Sequence, residues 1–188
     1  MSHITHWVRL SSNKASVDGH PLSHVSQGSA LLVELYKSHV GDYPKFYKMD
    51  PLCRAGFIAS ELLLEAEGKK DSTWADSRAV LLFNRTASIA DDSNYQETIN
   101  TDTEDSFFPS PSLFVYTLPN VLTGEIAIRN HYYGETSFVV LPNPDPFLMR
   151  EMADELLLDP NTDSILTGWA DCTDADNFDI LLYIIRKS

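Results

Sequence analysis

The spacing of hydrophobic and polar positions divides the chain into helical segments and short apolar runs of strand length. Strands that alternate with helices in this way are typical of an α/β sheet with helices on both faces. We therefore predict five strands, at residues 6–10, 78–83, 137–141, 164–170 and 178–185. The last connection is too short for a parallel crossover, so we expect a mostly parallel sheet whose last strand is antiparallel.

Two helices have clear start signals. Asp50 can cap a helix that begins at Pro51 and stops at Gly68, with apolar residues at helical spacing between them. Asp145 and Pro146 give the same pair of signals for a later helix. These local signals predict where both helices begin.

The remaining segments are less regular. An apolar run at 30–36 predicts a short helix, and a second run at 121–128 predicts a helix in which Gly124 allows close packing. The polar stretches 11–29 and 91–105 show no periodicity and predict surface loops.

The segment 114–152 has a characteristic order of helix, glycine turn, apolar strand, elbow and helix. It contains Leu118-Pro119-Asn120, then GEIAIRNHYYG, then the strand and the elbow. This order resembles the N-terminal half of the β-ketoacyl synthases, and YKMDPLCRAGF at 47–57 is similar to that family's entry into a helix. The resemblance implies that 1–188 is a single β-ketoacyl synthase N-terminal-like domain, one half of a thiolase-like fold.

The resemblance places the family's acyl-accepting cysteine on Asn143. An amide is not a nucleophile, and a neighbouring base cannot activate it. The family's two catalytic histidines belong to a second half, and none of the six histidines up to Ser188 matches them. His131 lies near the end of the 121–128 helix, where a surface or helix-terminal role is favoured over catalysis. We therefore expect a non-catalytic accessory protein of a fatty-acid, polyketide or aryl-polyene type pathway, like the chain-length factors that also lack this cysteine.

In the resembled family, the strand equivalent to 136–141 lies at the edge of the sheet and pairs with its twofold mate. We expect the same strand to form a dimer interface here, because an uncovered apolar edge promotes aggregation. The predicted interface residues are Thr136, Ser137, Phe138, Val139, Val140 and Leu141. The partner would be a second copy or a complete ketosynthase.

Charge and composition narrow the choice of partner. The net charge of −13 argues against nucleic acid and against anionic membrane surfaces. It also disfavours an acyl-carrier protein, because carrier proteins are themselves usually acidic. No run approaches the roughly 18 apolar residues of a membrane span, and the polar N-terminus lacks a secretory signal pattern. Two cysteines predict neither a disulfide framework nor a metal cluster, so we expect a cytoplasmic protein without cofactor or metal.

Three alternatives remain open from the sequence. The chain could be an acyltransferase whose site is completed in trans, with Cys53 or Cys172 as its thiol. A helix N-terminus can lower the pKa of a thiol such as Cys53, although a free cysteine is more often a buried packing residue. The chain could also be a remnant without a biochemical role. The carboxylates at 171, 174, 176 and 179 could attract Ca²⁺, but their spacing favours a solvated acidic turn.

Overall fold

The structure is a computed structural model that describes residues 2–68, 76–101 and 109–187. Its strands are β1 Ser2–Ser11, β2 Lys14–Val17, β3 His20–Pro21, β4 Arg78–Asn84, β5 Thr136–Val140, β6 Ser164–Cys172 and β7 Phe178–Lys187. Its helices are α1 Gly28–Leu35, α2 Pro51–Ala66, α3 Ile89–Thr101, α4 Pro111–Tyr116, α5 Val121–Asn130 and α6 Pro146–Leu156. A π-helical turn at Tyr36–Val40 and a 3-10 turn at Pro44–Lys48 precede α2. No helix of the described ranges is long and apolar enough to span a bilayer.

All seven strands form one sheet, in the order β3-β2-β1-β7-β6-β4-β5. The prediction of five strands was wrong because the stretch 11–29 contains β2 and β3. Ser11 pairs with Lys14 across a two-residue turn, and Asp18 and Gly19, both with positive φ, form the next turn. Only Ala15 is buried in β2, so this hairpin has no apolar run that the sequence pattern could reveal.

The expectation of a mostly parallel sheet was also wrong. Among the described strands, the pairs β4–β5 and β4–β6 are parallel, and the other four neighbouring pairs are antiparallel. The antiparallel β6–β7 pairing confirms the prediction for the last strand. Beyond β7 the sheet continues through β1 and its hairpin, which need no helical crossover.

Helix α2 is the centre of the larger core. Its N-terminus is as predicted, since Asp50 accepts hydrogen bonds from the backbone N–H groups of Leu52 and Cys53. A β-carbon on Gly56 would lie 2.5 Å from Leu122 of α5, so this glycine permits the close approach of the two helices. The same role predicted for Gly124 was wrong, because a β-carbon there would meet nothing within 4 Å.

Helices cover both faces of the sheet, as predicted. Helices α2 and α5 pack on one face, and α6 packs on the other face through Met149, Ala153 and Leu157. Asp145 caps α6 as predicted, accepting from the N–H groups of Phe147 and Leu148.

Helix α3 occupies most of a stretch that was predicted to be a loop. Residues 91–101 are helical, whereas 102–105 lie outside the described residues. The helix is polar on nearly all sides and packs chiefly against α4, where the rings of Tyr95 and Phe114 lie 5.5 Å apart. A helix without an apolar stripe gives no periodic signal, which explains the wrong prediction.

Candidate functional site

The carboxyl ends of the parallel strands β4, β5 and β6 lie at the same end of the sheet. Ligand sites of open α/β sheets are usually found at this carboxyl end. Asn84 ends β4, Val140 ends β5, and Cys172 ends β6. The connection after β4 crosses one face and α6 crosses the other, so β4 lies where the connections diverge. The carboxyl end of these strands is therefore the candidate location of a functional site.

The elbow after β5 carries Asn143 and leads into the capped start of α6. Asn143 is exposed in a bend between β5 and α6. Oδ1 of Asp145 accepts hydrogen bonds from Phe147 N–H and Leu148 N–H, both at 3.1 Å. The N–H groups that could have bound an anion at this helix N-terminus are therefore occupied by a carboxylate of the same chain.

Neither cysteine has the properties of a nucleophile. Burial, and then the neighbouring Asp50 carboxylate, raises the pKa of the Cys53 thiol well above its ordinary value. Burial likewise raises the pKa of Cys172 to about 12, and its thiol donates to the Asp174 carbonyl at 3.2 Å. Since only the thiolate is reactive, burial disfavours the reactive form of both side chains.

His131 caps the C-terminus of α5 in the left-handed conformation, with a φ of 54°. The helix-terminal role predicted for this histidine is thereby confirmed.

The four carboxylates at 171–179 bind separate partners. Asp171 Oδ1 accepts from the N–H and hydroxyl groups of Thr86, and Asp176 accepts from Ser29 N–H. Asp174 caps its own turn through Asn177, and Asp179 forms an ion pair with Arg9 at 2.5 Å. Within the described ranges, no three His, Cys, Asp or Glu side chains are arranged to hold a metal ion.

A pair of buried carboxyl groups lies near Cys172, at the carboxyl end of β6. The sequence did not predict this pair. Asp50 and Asp91 are 7% and 4% exposed, and their carboxyl groups are neighbours that can form a hydrogen bond only when one of them is protonated. Burial and the adjacent Asp50 raise the pKa of Asp91 to about 8. The sequence marked Asp50 as a helix cap, but it contained no signal that Asp91, placed in a predicted loop, would be buried against it.

Strand β5 lies at the edge of the sheet, as the resemblance implies. It is less buried than its apolar sequence predicted: Thr136 and Val140 are exposed, and the residues between them are half-buried. Phe138 packs towards α2 and α5, whereas Val139 and Leu141 pack on the α6 side.

The hydrogen bonds to β4 show which backbone groups of β5 have no partner in the described part of the chain. Val80 N–H donates to the Glu135 carbonyl, and Leu141 N–H donates to the Asn84 carbonyl, both at 2.8 Å. In a parallel ladder of this register, the odd-numbered residues of β5 bond to β4. The N–H and C=O groups of residues 136, 138 and 140 therefore face outward along the edge.

An open apolar cleft adjoins the elbow on the face that α6 covers only in part. Its volume is about 380 Å³, and one wall is formed by the elbow prolines Pro144 and Pro146. The other lining residues are Ile4, Trp7, Met149, Arg150, Trp169, Leu181 and Tyr183.

No protein-family model and no curated protein matches the chain. Solved structures do match over its whole length. The ishigamide ketosynthase/chain length factor superposes with a TM-score of 0.74 at 16% identity. A ketosynthase in complex with its chain length factor from Xenorhabdus doucetiae superposes with a TM-score of 0.62 at 12% sequence identity. A β-ketoacyl synthase from Burkholderia phymatum gives 0.64 at 11%.

The chain has a ketosynthase-like fold. Identities of 11–16% support the fold and no finer statement. This chain is covered completely in each of the three superpositions, and it spans 62%, 79% and 59% of those chains respectively. It therefore corresponds to a part of a ketosynthase-like chain.

Proposed function

We propose that this protein is a non-catalytic, ketosynthase-like partner that pairs through β5 with a complete ketosynthase. The observation that carries the proposal is the edge of β5, which has no neighbouring strand on its outer side among the described residues and presents outward N–H and C=O groups beside Asn143. Two of the similar structures are described as ketosynthases together with a chain length factor. A role in fatty-acid, polyketide or aryl-polyene type biosynthesis, in the cytoplasm, fits such a partner.

Three features of the described residues support the non-catalytic role. Asn143 cannot accept an acyl group, and Asp145 already fills the hydrogen-bonding positions at the start of α6. Both thiols have pKa values that keep them protonated near neutral pH. An acyltransferase completed in trans would therefore need its nucleophile, as well as its histidines, from the partner.

Charge favours a synthase as the partner over the other candidates. Two copies of a chain with a net charge of −13 repel each other, and so would this chain and an acidic carrier protein. A less acidic ketosynthase avoids this repulsion. Pairing of two strand edges also satisfies the backbone groups that β5 leaves free.

The register of β5 suggests a direct test by substitution of Val140. Proline at this position removes an N–H that faces outward, and it leaves the bonds between β4 and β5 intact. We expect Val140→Pro to abolish co-purification with the ketosynthase while the thermal unfolding temperature changes little. The matched control, Val140→Thr, keeps the N–H and the branched side chain and should bind like the wild type.

Equal binding of Val140→Pro and Val140→Thr to the synthase would exclude the edge of β5 as the interface. A separate activity assay tests the non-catalytic role. The protein alone, incubated with an acyl-carrier thioester, should show no gain in mass from acylation.

A further inference from the structure

We propose that Asp50 and Asp91 form a proton-operated latch that holds the first turn of α3 against the N-terminus of α2. Asp50 is fixed in place because its two carboxylate oxygens each accept a backbone N–H of α2 at 3.2 Å. Asp91 reaches it from the first turn of α3. In the closed latch, one proton shared by the two carboxyl groups joins these two helix starts.

Asp91 occupies the anchoring position of its helix. Among the described side chains of α3, at 89–99, it is the only one that is buried. Its Oδ2 atom is buried and has no hydrogen-bond partner among the described atoms. A helix of this kind is usually anchored by an apolar side chain, so a carboxyl group in that position makes the anchorage depend on protonation.

The groups around Asp91 do not compensate a negative charge. The carboxylates of Asp50 and Asp92 both repel a negative charge on Asp91, and each raises the pKa of Asp91. The Asp91 carboxylate also interacts electrostatically with the thiols of Cys53 in α2 and Cys172 in β6, and burial keeps both thiols protonated. Tyr116 of α4 and Glu125 of α5 lie further along the same cluster, where Lys45 neutralises Glu125 at 2.5 Å.

Proton linkage gives the direction of the response. When protonated, Asp91 donates a hydrogen bond to Asp50, and its pKa is raised from 3.8 to about 8 in the folded protein. A carboxyl group with a raised pKa favours the closed state most at low pH, and this advantage decreases as the pH rises towards 8. Above about pH 8 both carboxylates are ionised, and the opening equilibrium of α3 no longer changes with pH through this pair.

Hydrogen exchange of the α3 amides measures the opening of the latch. After correction for the intrinsic pH dependence of exchange, we expect protection of α3 to fall more than tenfold between pH 6 and pH 8 and then to level off. In Asp91→Asn, which stays neutral and can still donate to Asp50, protection should not change over this range. Asp92→Asn, on the exposed side of the same turn, removes a neighbouring charge that helps to raise the Asp91 pKa, so the fall in protection should persist in this control but move to lower pH.

Constant protection in the wild type, or an unchanged response in Asp91→Asn, would overturn the latch. If Asp91→Asn does not fold, NMR titration of the Asp91 side-chain carbon in the wild type decides the question. Protonation that persists to about pH 8 supports the latch, and titration below pH 5 contradicts it.

Discussion

Replacement of Glu67 by glutamine should be among the most destabilising single-atom changes in this protein. The Glu67 side chain follows the last turn of α2 and is 0% exposed, as is Arg78 of β4. Arg78 donates two hydrogen bonds to it, at 2.8 and 2.6 Å, and Arg186 of β7 donates a third. The carboxylate therefore joins the end of α2 to two strands.

The expected cost follows from what the substitution leaves behind. Arg78 keeps its hydrogen bonds to Ser164 Oγ, at 3.1 and 2.9 Å, but loses the ion pair that its buried guanidinium group forms with the Glu67 carboxylate. Removal of one partner of a buried ion pair typically costs about 3–5 kcal/mol. That is a large part of the roughly 5–15 kcal/mol that stabilises a typical domain.

Urea denaturation followed by circular dichroism measures this difference. The matched control is Glu65→Gln, two residues earlier on α2, where the side chain is 51% exposed and pairs with His39 at 2.8 Å. An exposed pair of this kind is worth about 0–1 kcal/mol. A free energy of unfolding that differs by less than about 1 kcal/mol between the two variants would refute the account of a buried, charge-dependent junction.

Two further predictions concern the glycines of α2 and α5 and the buried thiols. Gly124→Ala should stabilise the protein by up to about 1 kcal/mol in thermal unfolding, because alanine favours a helix and the site is open. Gly56→Ala should instead be neutral or destabilising by up to about 2 kcal/mol, since its β-carbon meets the fully buried Leu122; equal stabilisation of both variants would contradict the tight contact. Cys53 and Cys172 should react with a thiol reagent at pH 8 only after unfolding, and rapid labelling of the native protein would show that a thiol is accessible.

The parts of the fold that could be predicted are those whose signals are local. Asp50 and Asp145 were identified as helix caps because each precedes a proline and a run of helical apolar spacing. Strand β4 was evident because all its residues are buried and most are apolar. The short connection between β6 and β7 fixed their antiparallel pairing.

The missed parts depend on contacts between distant residues. Strands β2 and β3 are polar and take their structure from pairing with β1, and α3 is a helix without an apolar face. The burial of Asp91 depends on its contact with Asp50, 41 positions earlier in the printed numbering. The close packing assigned to Gly124 belongs to Gly56 because only the three-dimensional arrangement shows which glycine faces another helix.

The interface of β5 is where sequence and structure have to be combined. The sequence, through its resemblance, singled out residues 136–141, and the structure shows that this strand is at the edge of the sheet and leaves the backbone groups of alternate residues unbonded to β4. Pairing with a partner remains a proposal that rests on this free edge.

The most direct test of the partner role is the mass in solution, by light scattering, of this protein alone and after co-expression with a complete ketosynthase from the same source. The account predicts a mixed complex that contains both chains and that Val140→Pro prevents. A homodimer that does not bind the synthase would contradict the choice of partner. Monomers in both samples would contradict pairing through β5.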